Sequence, residues 1–310
     1  MQKTICMLIA SALIFPLQSF ANDLNAALEN AKSICLKIST SAQDLKQKSA
    51  INTAITGAGT ITAGAALYTG IRKADIDKQV QKLDEKLNAI DNLSNEDFMN
   101  LLQEMANIED AINDYQSICT RKKELTEQSK NLGNIRTGLM AANTATAIAG
   151  TAISETNKNT INDIKTDIEQ CIEAINKLNF FSVQAKISQD IETHNKLNKI
   201  ITACSDLERI NLEKTEKHNK TSMITSAINI GTGTLGTITS AVANSNKIRN
   251  GNSDKNQETE KNLNTTANIS AGLSTVASGI STVFNATTNK QAKEINQAIS
   301  NCQEALNQWN

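Results

Sequence analysis

Apolar residues recur along this chain at alternating intervals of three and four. That spacing keeps one stripe of a helix facing a partner helix. The first run is Leu24, Leu28, Ala31, Cys35, Ile38, Ala42 and Leu45. The second is Ile76, Val80, Leu83, Leu87 and Ile90, and beyond a turn-like DNLSNED stretch comes Phe98, Leu101, Met105, Ile108, Ile112, Tyr115 and Cys119. Later runs are Ile161, Ile164, Ile168, Cys171, Ile175 and Leu178, then Leu197, Ile200, Cys204 and Leu207, and last Ala292, Ile295, Ile299, Cys302, Leu306 and Trp309. The period predicts an all-α protein, an elongated antiparallel coiled-coil-like bundle of about four long helices. It also places Cys35, Cys119, Cys171, Cys204 and Cys302 on the seam.

Four intervening segments carry no charge and are rich in Gly, Ala, Ser and Thr: Ser49 to Ile71, Thr137 to Ser154, Thr221 to Asn246 and Asn262 to Asn289. The last two keep an apolar stripe at the same spacing, Ile224, Ile228, Gly231, Leu235, Ile238 and Val242, then Ile269, Leu273, Val276, Ile280 and Val283. Small residues such as Ala267, Ala271, Ser274, Ser278 and Ser281 flank these stripes. Each glycine lowers helix propensity by about 1 kcal/mol, so its repeated use calls for a compensating gain. Close approach of helix backbones supplies one. Gly57, Gly64, Gly231, Gly233, Gly236, Gly272 and Gly279 are therefore the candidate close-packing residues, or inserting residues if the segments meet lipid.

A degenerate repeat runs through the chain. Small-residue segments begin at Thr53, Thr137 and Ser222, each at the same distance beyond a cysteine (Cys35, Cys119 and Cys204). A turn at Asn250 to Asp254 folds the last part into a hairpin, and Cys204 and Cys302 stand equally far from Ser253. In an antiparallel pair they meet at one level, which predicts a disulfide. In the first half a turn near Asn92 to Glu96 leaves two pairings open. Cys35 with Cys171 requires a mismatch to be absorbed, for instance at a break over Asn131 to Asn134; Cys35 with Cys119 is the other choice. A turn near Asn179 to Ser182 then separates an N-terminal hairpin region, 22–180, from a C-terminal one, 183–310. A rival layout breaks each helix at its glycine-rich segment and stacks shorter hairpins.

Composition narrows the compartment. Met1 to Ala21 reads as a signal peptide, with Lys3, an uncharged apolar run from Ile5 to Leu17, and a Ser19-Phe20-Ala21 cleavage site. Cleavage removes Pro16, the one proline, so nothing in the mature part blocks long helices. The expected location is the periplasm or the cell exterior. An oxidising compartment favours disulfides, and five mature cysteines leave one thiol over.

Chemistry is hard to find. His194 and His218 lie in no metal-binding spacing, and no cysteine pair forms CxxC. Gly231, Gly233 and Gly236 match GxGxxG in letters, but that motif needs a strand before it in a βαβ unit. No catalytic residue, cofactor or small-molecule substrate is expected. With 31 basic and 32 acidic residues, the charge balance gives no reason to expect nucleic acid. The expectation is a non-enzymatic scaffold or protein-interaction module that binds a protein partner or itself. The alternative is a membrane-active protein, pore-forming or membrane-inserting, that uses the uncharged segments.

Overall fold

The computed structural model describes residues 2–91, 108–245 and 254–309, leaving aside the side chains of 2–19, 90–91, 108–112 and 254. Five helices account for nearly all of it: α1 (Gln2–Asp91), α2 (Ile108–Ile187), α3 (Ile191–Cys204), α4 (Leu212–Ala243) and α5 (Asp254–Asn307). A single 3-10 turn, Ser205–Arg209, links α3 to α4. The fold is an all-α bundle of four long helices packed against one another, and no strand occurs among the described residues. The expected leader falls in the first part of α1, its side chains up to residue 19 undescribed, while the DNLSNED turn with Phe98, Leu101 and Met105, and the Asn250 to Asp254 turn lie wholly or largely outside the described residues.

The helices run unbroken through the glycine-rich segments, so the rival layout of stacked short hairpins fails. No glycine among the described residues takes a positive φ, and each simply continues its helix. The turn expected at Asn179 to Ser182 is likewise absent. Phe181 stacks edge-on against Phe20, with ring centroids 5.6 Å apart, and Ser182 is buried within α2. The chain turns instead at 188–190. There Gln189 takes a left-handed φ of 60°, and the Asp190 carboxylate accepts the Thr193 N–H at 3.1 Å to cap α3. That cap holds the Asp190 carboxyl below its ordinary pKa.

The chain forms two compact units, and both expected hairpin regions contribute to each. Unit one comprises Met1–Thr53, Ala152–Met223 and Val283–Asn310. Its core is the predicted seam: Leu24 to Leu45 on α1, Ile161 to Leu178 on α2, Leu197 to Leu207 on α3 and the turn after it, and Ala292 to Leu306 on α5, joined by Leu212 of α4. Between Leu207 and Leu212 the seam spacing lengthens to five residues, and the 3-10 turn brings Leu212 back into the core. Two disulfides cross this core, Cys204–Cys302 as predicted and Cys35–Cys171 in the half that the sequence left open.

Register explains the second bridge. In unit one, Cys35 faces Cys171 and the Asn52 amide donates to Ser154 Oγ at 2.9 Å. In unit two, Ser129 donates to Asp77, and Lys122 pairs with Asp84. All four pairs are centred on residue 103, which lies inside the undescribed stretch 92–107, so no break in α2 is needed. The pairs joining α4 to α5 are centred near residue 253, as the equal spacing of Cys204 and Cys302 implies.

Candidate functional site

Unit two comprises Ala54–Thr151 and Ile224–Thr282, and its packing inverts the expected polarity. The apolar stripes of α4 and α5, read from the sequence as seam, face outward. Ile224, Ile228, Leu235, Ile238 and Val242 are all exposed, as are Ile269, Leu273, Val276 and Ile280; Val276 reaches 60%. The residues two positions earlier face inward: Ser222, Ser226, Asn229, Gly233, Gly236 and Ser240 on α4, then Ala267, Ala271, Ser274 and Ser278 on α5. An offset of two residues is a rotation of about 200°, nearly the opposite side of a helix. On α1 and α2 the same outward face holds Ile61 (74% exposed), Tyr68, Ile71, Ile135 and Ile148.

The interior is held by side-chain hydrogen bonds. Asn143 and Asn229 exchange amide bonds at 2.8 and 3.2 Å, and Asn229 also donates to Ser278 Oγ at 2.7 Å. Ser226 and Ser281 pair at 2.9 Å, Thr232 and Ser274 at 2.7 Å. The apolar remainder is slight, a cluster of Ala66, Met140 and Ala271. Helices approach closely where glycine permits it. A Cβ on Gly233 would lie 2.5 Å from Thr144 Oγ1, and one on Gly236 would overlap Met140 Cε. Of the other glycines singled out by sequence, Gly231, Gly272 and Gly279 have nothing within 4 Å, and Gly57 and Gly64 make only ordinary contact at 4.0 Å. Gly59, Gly70 and Gly133, not singled out, are close approaches to Thr146, Asn268 and Asn244.

Charge enters this interior at one end. Arg136 is fully buried beside Gly70, and its Nη2 donates to the Asn264 carbonyl at 3.3 Å. Its Nε and Nη1 have no hydrogen-bond partner among the described residues. Burial lowers its pKa to about 10. Lys73, also buried, is paired with Asp77 at 2.6 Å and Glu260 at 3.0 Å. Cys119, towards the N-terminal end of α2, is only half-buried and carries a free thiol, contrary to its expected core position. Tyr115, assigned to the same seam, is exposed.

Other clusters are structural. Sγ atoms of Cys35, Cys171 and Cys302 lie within 4.8 Å of one another, but all three are tied up in disulfides and offer no thiolate to a metal. His194 contacts Ser182 and Asn198, with Nδ1 2.9 Å from the Ser182 carbonyl. The buried Ser182 hydroxyl donates to Asn198 at 2.9 Å, so this group fastens the α2–α3 turn. His218 lies against Phe284 in unit one, and Trp309 packs on the unit-one core. Gly231, Gly233 and Gly236 sit inside α4 and form no phosphate-binding turn.

No protein-family model, curated protein or solved structure matches this chain. Among the described residues, no helix is long and apolar enough to cross a membrane. The paired disulfides fit an oxidising, exported environment. The feature set apart by its physical chemistry is the outer face of unit two.

Proposed function

We propose that this protein is an exported, non-enzymatic helical-bundle interaction module whose working surface is the apolar outer face of unit two. The observation that carries this reading is the inversion itself: Leu273 and Val276 are exposed while Ser274 and Ser278 are buried. A helix face left in water carries charged and polar residues, whereas this one carries Ile, Leu and Val without a charge between Asn262 and Asn289. Something apolar covers it. Met1 to Ala21 directs export, and the mature chain begins near Asn22. Two bridges and a hydrogen-bonded interior give the module a fixed shape, which suits a scaffold.

The test measures whether the face is covered. The purified oxidised protein is run on size exclusion with light scattering, in buffer and in a mild non-ionic detergent. We expect self-association in buffer and bound detergent mass in micelles. The variant carrying Ile228→Lys, Leu273→Lys and Ile280→Lys should do neither while keeping its helix content and both bridges. A wild-type protein that is monomeric, binds no detergent and matches the triple variant would remove the reading.

A further inference from the structure

We propose, resting on that reading, that the partner of this face is the hydrocarbon interior of a lipid bilayer. Four observations point there. The face occurs on all four long helices, through residues such as Ile61, Ile148, Ile238 and Leu273. A two-fold contact with a second copy covers one side of a bundle and leaves the others wet.

The charge-free segments also have the right length. They hold 23, 18, 26 and 28 residues, or about 27 to 42 Å of helix at 1.5 Å per residue. The hydrocarbon core of a bilayer is about 30 Å thick.

The charges that end these segments are basic with one exception. Lys48, Arg72, Lys220, Lys247, Lys261 and Lys290 flank them, Arg136 is turned into the bundle interior, and Glu155 is acidic. Long basic side chains at both ends of an apolar stretch reach the headgroups while their stems stay in the hydrocarbon. Tyr68, exposed one turn before Arg72, is placed where an interfacial aromatic belongs.

Hydroxyls on the outer face are already satisfied. Thr62, Thr234 and Thr239 donate to the Ala58, Ile230 and Leu235 carbonyls of their own helices at 3.1, 2.8 and 2.8 Å. An outward threonine closed in this way presents its methyl group to the surroundings.

Mean hydropathy conceals this arrangement, because each segment is rich in Ser, Thr, Asn and Gly, and those that are buried, such as Ser226, Asn229, Ser274 and Ser278, face the bundle interior. Each helix judged alone is too polar to cross a membrane. The four together put that polarity inside, where Asn143, Asn229 and Ser278 bond one another, and small residues with interhelical amide bonds are how helices pack in lipid.

The experiment uses the full mature protein with both bridges intact and vesicles of phosphatidylcholine and phosphatidylglycerol, with acyl chains either plain or brominated at mid-chain. Leu273→Trp is made in a Trp309→Phe background, and Ile238→Trp is made likewise as a second reporter on α4. The unaltered protein, whose one tryptophan is Trp309 in unit one, serves as control. We expect the protein to float with the vesicles, the new tryptophans to shift to the blue, and brominated chains to remove about half their emission. Trp309 should be unaffected, and the triple lysine variant should stay in solution. Absence of flotation and quenching overturns the proposal. If the protein is then a dimer in buffer that the lysines dissociate, a second copy covers the face and the broader reading stands. If it is a monomer indifferent to the lysines, both fall.

Discussion

In unit one a seam of Leu, Ile and Cys is wrapped in charged side chains; in unit two a seam of Ser, Asn, Gly and Ala is wrapped in Ile, Leu and Val. The same helices build both, and the seven-residue phase does not slip between them. On α5 the buried line Ala267, Ala271, Ser274, Ser278, Ser281, Asn285 and Thr288 continues at the same spacing into Ala292, Ile295, Ile299, Cys302 and Leu306. The comparison separates two properties that usually coincide. Heptad phase decides which face turns inward, because helices wound on one another must keep one stripe in contact. Whether that stripe is the apolar one depends on what lies outside. Burial of Leu and Ile out of water drives folding in unit one, at roughly 1.5–3 kcal/mol per fully buried side chain. In unit two a hydrogen bond replaces bonds to water and contributes about 1 kcal/mol net.

The contrast is broken most forcefully through the bridges. Replacing Cys204 and Cys302 together by alanine, or reducing both disulfides, should cost roughly 2–5 kcal/mol, because the bridges close loops spanning 98 and 136 residues. Denaturant unfolding monitored by far-UV circular dichroism reads this. Next comes a matched pair of truncations. Ile164→Ala, in the unit-one core, should cost about 2–5 kcal/mol. Leu273→Ala, on the outer face of unit two, should change stability in buffer by no more than about 0.5 kcal/mol. Equal losses at the two sites would mean that the outer face packs against protein already.

Smaller effects sharpen the account of the polar interior. Asn229→Ala leaves Asn143 and Ser278 short of a partner and should cost about 1–3 kcal/mol, whereas the same truncation at exposed Asn159 should cost almost nothing. Arg136→Met should stabilise by about 1–3 kcal/mol, since it removes a buried guanidinium with no paired carboxylate among the described residues. The sign follows from its pKa, lowered by burial from the ordinary guanidinium value to about 10 in the fold. The folded protein holds that proton less tightly, so the destabilisation is present in full below about pH 10 and fades as pH rises above it. The advantage of Arg136→Met should therefore be constant from about pH 6 to 9 and shrink above pH 10. Last, Gly272→Ala, with open space around it, should stabilise by about 0.5–1 kcal/mol. Gly233→Ala should instead destabilise, because its methyl group meets Thr144. Thermal midpoints of the two variants, taken side by side, check both.

Much of unit one was legible beforehand. Its seam was apolar and water lay outside, so periodicity and polarity agreed, and the equal distance of Cys204 and Cys302 from Ser253 identified their bridge. The Cys35–Cys171 bridge was one of two open choices because the DNLSNED turn signal pulled the centre of the first hairpin to residues 92–96, about 8 residues before the register centre at 103. Unit two misled for a different reason. Two stripes on α4, Ile224 to Val242 and Ser222 to Ser240, obey the same period two residues apart, and preference for the apolar one chose the wrong face. On α5 the same choice arose, and there carrying the phase back from Cys302 without a slip would have named Ser278 and Ser274.

The sequence by itself determined that this chain is helical, that its helices pair along a seven-residue seam, and that Cys204 meets Cys302, since these follow from local spacing. Only the tertiary structure decided which of two equally periodic faces is inside, and that Asn143, Asn229 and Ser278 converge while Leu273 and Val276 do not. One helix carries both faces at once. The choice between them is made by the neighbours, because an inward amide is stable only where another helix supplies its hydrogen-bond partner.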